Sequence, residues 1–380
     1  MYSIGLRGRR IVGESNARNF QVKIDAVDLF CGAGGLSYGL QKTGIVVRGG
    51  LDFDPKCETP FTENIQGAQF FLEDITKTEA SKLAKLYRKN SFKLLAGCAP
   101  CQPFSNLRNG SAKSKSDKWP LLNEFSRLVH SIRPDFVTME NVPQLRKQSI
   151  FSDFLATLKI LGYQVSSAVV DAAEYGVPQR RNRLVLLASL HGPIRLLSPE
   201  EIGVKKKTVR EAIGQLPTLK AGETNNADPM HKARALSVLN LERIRASQPG
   251  GTWEDWPDHL KLECHKKESG ATFKSVYGRM QWDLPSGTIT TQSSNVGTGR
   301  FGHPAQDRAL SLRELAILQS FPSDYVFTKT NSNIEFAPIG RLIGNAVPVD
   351  LGYAVGRSIN QHAKGLGRNN DKQKPIQARS

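Results

Sequence analysis

The sequence predicts an α/β protein built on a mostly parallel sheet, with a smaller and less regular domain placed before the chain returns to the first. Three observations carry that expectation. From Ile24 to Leu190 short apolar runs alternate with helical patterns, as βα units do. From about Ser198 to Pro304 the chain is rich in Gly, Pro, Lys, Arg and Trp and loses sustained periodicity. Regular pattern returns at Ser311 to Gln319, bounded by Phe321 and Pro322, and again near Arg341 to Val349.

Element by element, strands are expected at Ala26 to Phe30, Val46 to Leu51, Phe92 to Ala96, Phe136 to Met139, Val165 to Val170 and Arg183 to Leu190. Between two of them Leu121, Leu122, Phe125, Leu128, Val129 and Ile132 recur at helical spacing, and Pro134 ends that helix. The chain therefore divides into a basic N-terminal segment (1–23), a first domain (24–197), the irregular domain (198–304), a return to the first domain (305–364) and a polar, basic tail expected to be disordered (365–380). No internal repeat is visible.

Composition narrows the function. Lys and Arg number 52 against 35 Asp and Glu, a formal charge of +17, so the field attracts polyanions, nucleic acid first among them. A basic tail alone does not explain the excess, because Lys113, Lys115, Lys118, Arg180, Arg181, Arg183, Lys205, Lys206, Lys207, Lys266 and Lys267 lie inside the chain. No apolar run suits a membrane span, and Met1 to Phe20 lacks the apolar core of a secretory signal. A soluble, intracellular protein is expected. The 5 cysteines, at 31, 57, 98, 101 and 264, show no disulfide-framework spacing, so reduced thiols are expected.

Each unusual segment follows a strand, at the edge where open α/β sheets bind ligands. Asp28-Leu-Phe-Cys-Gly-Ala-Gly-Gly35 is a glycine-rich turn that lets a ligand approach backbone, yet it is not the Gly-x-Gly-x-x-Gly of dinucleotide enzymes. Asp52, at the end of the second strand, suits the two hydroxyls of a ribose, and Asp74 suits an adenine amino group. Three acids and a glycine turn fit a nucleoside without phosphates. The competing reading makes these acids helix caps.

Gly97-Cys-Ala-Pro-Cys-Gln-Pro-Phe-Ser105 allows three chemistries. Cys98 and Cys101 have the spacing of a redox pair; they could be half of a zinc site, although no second pair completes it; or one of them is a nucleophile in a loop stiffened by two prolines. The motif alone does not choose. Glu140-Asn141-Val142 sets a carboxyl group at the same edge, unless it caps a helix. Gln179-Arg-Arg-Asn-Arg183 leads into a strand, which places its arginines at the opposite boundary of the sheet.

Taken in order, the glycine turn, Pro-Cys-Gln, Glu-Asn-Val and Gln-x-Arg-x-Arg resemble the DNA (cytosine-5)-methyltransferase family of bacterial type. Arg313-Glu-Leu-Ala-Ile-Leu-Gln-Ser-Phe-Pro322 and Ile343-Gly-Asn-Ala-Val-Pro348 look like its last two motifs, so the resemblance spans Asp28 to Pro348. It implies a Rossmann-like S-adenosylmethionine-dependent methyltransferase fold, with target recognition in the irregular domain. It also implies that Cys101 adds to carbon 6 of a cytosine flipped out of double-stranded DNA, that Glu140 contacts ring nitrogen 3, and that Arg183 holds the base's carbonyl oxygen and orients Glu140. Arg181 is its neighbouring support.

By the same resemblance Phe30, Gly32, Gly34, Asp52, Phe53, Asp74, Pro100, Asn345 and Val347 would hold S-adenosylmethionine, and Pro100 would also position the base through its backbone carbonyl. No metal is expected. Asp52 departs from the glutamate more usual in the family, and Asp54 is the weaker substitute. The segment from Leu107 to Lys118 suits a loop that closes over the DNA backbone. Gly287 to Gln292 is a further candidate for backbone contact. Trp253, Trp256, Trp282, Phe273 and Tyr277 could read DNA or form the core of the irregular domain. A monomer on DNA, bacterial cytoplasm at the nucleoid, and a cognate restriction endonuclease complete the expectation. The nearest rivals are an RNA methyltransferase of the transfer-RNA type and a catalytically dead DNA-binding relative.

Overall fold

The computed structural model describes residues 22–100, 120–265, 267, 272–329 and 333–372. Its strands are β1 (Ile24–Leu29), β2 (Val46–Asp52), β3 (Gln69–Leu72), β4 (Phe92–Gly97), β5 (Phe136–Asn141), β6 (Gln164–Asp171) and β7 (Asn182–Ser189). The helices between β1 and β6 are α1 (Gly35–Gln41), α2 (Glu58–Asn64), α3 (Ala80–Ala84), α4 (Pro120–Ile132) and α5 (Ser149–Ile160). After β7 come α6 (Pro199–Ile202), α7 (Val209–Ile213), α8 (Val238–Ala246), α9 (Leu312–Leu318), α10 (Phe336–Asn345) and α11 (Val349–Lys372). Among the described residues no helix is long and apolar enough to cross a membrane.

The strands form one sheet in the order β3-β2-β1-β4-β5-β7-β6. Pairing is parallel from β3 through β5, and β7 runs antiparallel to both β5 and β6. The central strands read as apolar runs because both faces are covered. Ile24, Ala26, Leu94, Ala96, Val185 and Leu187 face one core, while Val27, Leu29, Leu95, Val137, Leu184 and Leu186 face the other. Each such Ile, Leu or Val side chain contributes about 1.5–3 kcal/mol when taken from water. The chain turns outward in opposite directions from β1 and β4, so the crevice beyond their carboxyl ends is the switch point of the sheet.

Three expectations are corrected. The reversal of β7 brings the start of that strand, with Arg183, to the carboxyl edge of β5 instead of the opposite boundary, because Asn141 pairs with Leu184. Strand β3 went unread because it is a short edge strand with one buried side chain, too little for a periodic signal. Helix α11 runs to Lys372, past Gly365, where order was expected to end. Its first turns pack on α1 and the helix propagates beyond that contact. The stretch 373–380 lies outside the described residues, as do 1–21.

Helix α11 also returns the chain to the glycine turn. A Cβ on Gly35 would overlap the Val347 carbonyl oxygen, so only glycine allows this approach. In the irregular domain Trp253 and Trp256 are buried with Leu260 as a small core, as the packing alternative had it. Phe273 is exposed, and Trp282 is half-buried against Arg210.

Candidate active site at the carboxyl edge

Strand register assembles the site. Gly97 of β4 pairs in parallel with Met139 of β5, so the next residues, Cys98 and Glu140, emerge side by side at the edge. Cys98 Sγ donates to Glu140 Oε2 at 3.0 Å. On the other flank Glu140 faces Val185 of antiparallel β7, which makes Arg183 its diagonal neighbour on the same face, within reach of a long side chain. Arg183 Nε lies 2.8 Å from Glu140 Oε1. That contact is an ion pair without hydrogen-bond alignment, since Oε1, though buried, accepts no hydrogen bond. Glu140 is only 5% exposed and caps no helix.

Asn141, buried beside it, donates from Nδ2 to the Ala99 carbonyl at 2.9 Å and accepts from the Val142 backbone N–H. One side chain thus pins the segment that leads to Pro100 onto β5. Pro100 is exposed at the end of that segment. Cys101 and the basic stretch from Leu107 to Lys118 lie outside the described residues.

Arg181 precedes β7 and occupies a supporting position. It is buried, and its guanidinium donates to the carbonyls of Ile289 (2.8 Å), Gly344 (2.9 Å) and Ala346 (3.3 Å). It joins β7 to the segment Gly287 to Gln292 and to the end of α10. Gln179 works the same way: its Nε2 donates to Gln319 Oε1 and its Oε1 accepts from the Ile289 backbone N–H, both at 2.8 Å. Gln319 in turn donates to the Ile343 carbonyl.

The second half of the site lies around the end of β1. Phe30 and Gly32 take positive φ of 58° and 54°, and Gly34 takes 85°. A left-handed Phe is strained by about 1–2 kcal/mol, and such strain collects at ligand-binding turns. Beside Gly34, where a Cβ would meet the Tyr325 hydroxyl at 3.0 Å, Tyr325 donates to the Ala33 carbonyl and holds the turn from outside.

Asp52 accepts from Gly32 N at 2.9 Å and from Asp54 N at 3.0 Å, so it couples the ends of β1 and β2. Burial holds its carboxyl above the usual range, against the pull of those hydrogen bonds. Asp54 is occupied by Lys56 N and by Arg341. Burial also pushes Asp28 up to about 7, opposed by the Ser37 hydroxyl at 2.6 Å and reinforced by the charge of Asp52.

Asp52 pairs with Leu72 of β3, which sets Phe53 and Asp74 beyond the same edge. Phe53 is 69% exposed, a flat apolar ring open to a planar ligand. Asp74 accepts from Thr76 N at 3.0 Å, the capping role of the competing reading, and that bond uses only Oδ1. Val347 meets the turn through Gly35, and Asn345 is exposed at the end of α10.

The register thus brings together the Glu140 carboxylate, Arg183 and the glycine turn with Asp52 at one edge of the sheet. Cys98, Asn141, Gln179 and Gln319 are neighbours of the site that the motifs contain without marking, and Tyr325 lies three residues beyond the motif that ends at Pro322. The pairing of Gly97 with Met139 was the signal for Cys98, and it requires a known strand register.

Solved structures with this architecture show the fold. The chain superposes on an E. coli crystal structure described as a prophage-encoded DNA modification methyltransferase, with TM-score 0.68 and 20% identity over 89% of this chain and 99% of that one. It also superposes on the Dnmt2 methyltransferase of S. pombe, with TM-score 0.56 and 18% identity over 90% and 99%. The fold is the Rossmann-like methyltransferase fold. The description "C-5 cytosine-specific DNA methylase" matches residues 24–361, and the chain belongs to that family. It is 47% identical to the Type II methylase M.HgiDII of Herpetosiphon aurantiacus over 90% of this chain and 96% of the relative. It is 32% identical to the Type II methyltransferase M1.HphI of Haemophilus parahaemolyticus over 88% and 86%.

Proposed function

We propose that the protein transfers a methyl group from S-adenosylmethionine to carbon 5 of a flipped-out cytosine in a specific double-stranded DNA sequence, through a covalent adduct of Cys101. The observation that carries this reading is the buried Glu140 carboxylate, flanked by Cys98 and Arg183, with Oε1 accepting no hydrogen bond. A buried acceptor of that kind costs about 1–3 kcal/mol unless a ligand donor meets it. The N3–H of a cytosine under attack at carbon 6 is such a donor.

The edge residues fit S-adenosylmethionine on their own chemistry. Asp52 and Asp74 are acids where a phosphate would be repelled and a cationic nucleoside welcomed, Phe53 offers an open ring, and space beside Gly32 is free. When bound, this cofactor supplies a methyl group on a positively charged sulfur. In this reading Phe30, Gly32, Gly34, Asp52, Phe53, Asp74, Asn345 and Val347 hold it.

Carbon 5 of cytosine is a weak nucleophile until electron density is pushed onto it. The Cys101 thiolate forms the bond to carbon 6, and the displaced electron pair builds an enamine across carbon 5 and nitrogen 3. As charge arises at nitrogen 3, a proton passes from Glu140 Oε1 to that nitrogen, whose N–H then donates back to the carboxylate, a general-acid contribution of about 10²–10⁴-fold. Arg183 orients Glu140 and holds the base's carbonyl oxygen, and Pro100 offers its backbone carbonyl. Once carbon 5 has gained the methyl group, loss of the carbon 5 proton, return of the nitrogen 3 proton to Glu140 and expulsion of the Cys101 thiolate restore the aromatic ring.

Flipping the base costs a few kcal/mol, to be recovered from phosphate contacts of the basic surface. The names of the relatives support a place as the modification half of a Type II restriction system, with a cognate endonuclease, and we assign a monomer acting on DNA in the bacterial cytoplasm. The test is DNA carrying 5-fluorocytosine, whose fluorine blocks the final elimination. The protein should form a denaturation-resistant adduct that Cys101→Ser abolishes. An adduct that survives Cys101→Ser overturns the mechanism.

A further inference from the structure

We propose that Cys98 is a positioning residue for Glu140, setting the rotation of its carboxylate so that Oε1 is left for the base. The proposal rests on Glu140 acting as in the reading above. Two observations carry it: the thiol donates to Oε2 at 3.0 Å, and Oε1 is buried without a hydrogen bond although Arg183 Nε lies 2.8 Å away. The arginine supplies charge but not an aligned hydrogen bond, so it does not by itself fix how the carboxylate is turned. Cys98 does.

The backbone makes Cys98 suited to this. Its N–H donates to the Leu29 carbonyl at 3.3 Å, which prolongs the β1–β4 ladder one residue past Gly97, and its side chain packs against the core beneath the sheet. The sulfur therefore has little freedom, and the bond orients Glu140 against a fixed frame. A thiol is also a weak donor. It directs the carboxylate while withdrawing less acceptor strength than a hydroxyl would, which preserves the capacity of Glu140 to engage nitrogen 3.

The test compares full-length parent, Cys98→Ala, Cys98→Ser and Glu140→Gln in three measurements. These are steady-state methylation of duplex DNA, the rate of adduct formation on 5-fluorocytosine DNA, and calorimetric affinity for S-adenosylmethionine. Loss of one orienting hydrogen bond should lower kcat and the adduct rate of Cys98→Ala by about three- to tenfold, with the KM for DNA and the cofactor affinity within about twofold of the parent. Cys98→Ser, which retains a donor, should recover most of the loss. Parental kcat in Cys98→Ala overturns the proposal. So does a loss that appears in cofactor affinity or DNA KM instead of kcat, because that is the mark of a packing residue. Should Glu140→Gln keep parental kcat and adduct rate, it is the role of Glu140 that fails, and the two failures are thereby told apart.

Discussion

Gln179 Nε2 donates to Gln319 Oε1 at 2.8 Å, and both side chains are fully buried. This bond joins the turn before β7 to the end of α9, and through Ile289 N and the Ile343 carbonyl it holds the boundary of the irregular domain against α10. The turn before β7, the end of α9 and α10 are thus locked together by amide chemistry at the base of the site.

Replacing Gln179 by Leu keeps volume but strands the Ile289 N–H and Gln319 Oε1. Each stranded buried group costs about 1–3 kcal/mol, so equilibrium denaturation in urea should show a loss of that order or more. A stability change below about 0.5 kcal/mol would mean that the network is replaceable by packing.

Arg183→Lys keeps the positive charge but cannot span Glu140 and the Asn182 carbonyl, which Arg183 Nη1 reaches at 2.7 Å. Methylation kcat should fall roughly tenfold or more, with cofactor affinity nearly unchanged. Titration calorimetry beside steady-state kinetics separates the two. A variant that loses cofactor affinity instead would move Arg183 out of the base pocket.

The Asp28 carboxyl, pushed by burial up to about 7 from 3.8, binds its proton more tightly in the folded protein than in the unfolded chain. Its stabilising contribution is therefore full below about 3.8 and is lost as pH rises through about 7. Asp28→Asn removes that dependence and can still accept from Ser37. The melting temperature of the ligand-free variant relative to the parent should rise steadily from about pH 5 to about pH 8. A constant difference across that range would show that Asp28 does not titrate there.

Gly35→Ala drives a methyl group into the Val347 carbonyl. Overpacking of this kind costs about 1–3 kcal/mol, and because Gly35 adjoins the glycine turn, cofactor affinity should fall with stability. Denaturation and calorimetry on one preparation check both, and unchanged values would mean that α1 and α11 can part freely.

How much of this was legible depends on where each signal resides. The six strands read from apolar runs lie within two residues of those observed, since buried strands carry their pattern locally. The placement of Arg183 did not, because direction within a sheet is decided by pairing, and only the reversal of β7 shows that a residue at a strand's start shares the edge with one at a strand's end. The acids divided likewise. Asp74 caps a turn as a short-range reading allows, whereas Asp52 bonds Gly32 across 20 positions. Trp253 and Trp256 could not be sorted between core and DNA contact without burial. Cys98 looked like one half of a redox or zinc pair, and its nearest chemistry turned out to be a carboxylate 42 positions away.

Methylation of carbon 5 of cytosine in DNA by the carboxyl edge leaves a mark that can be read base by base. Bisulfite sequencing of DNA and RNA from cells expressing the parent or Glu140→Gln tests it most directly. Cytosines should be protected from conversion in one short sequence context of double-stranded DNA, with protection lost in Glu140→Gln. Fully converted DNA, or protection confined to RNA, would contradict it.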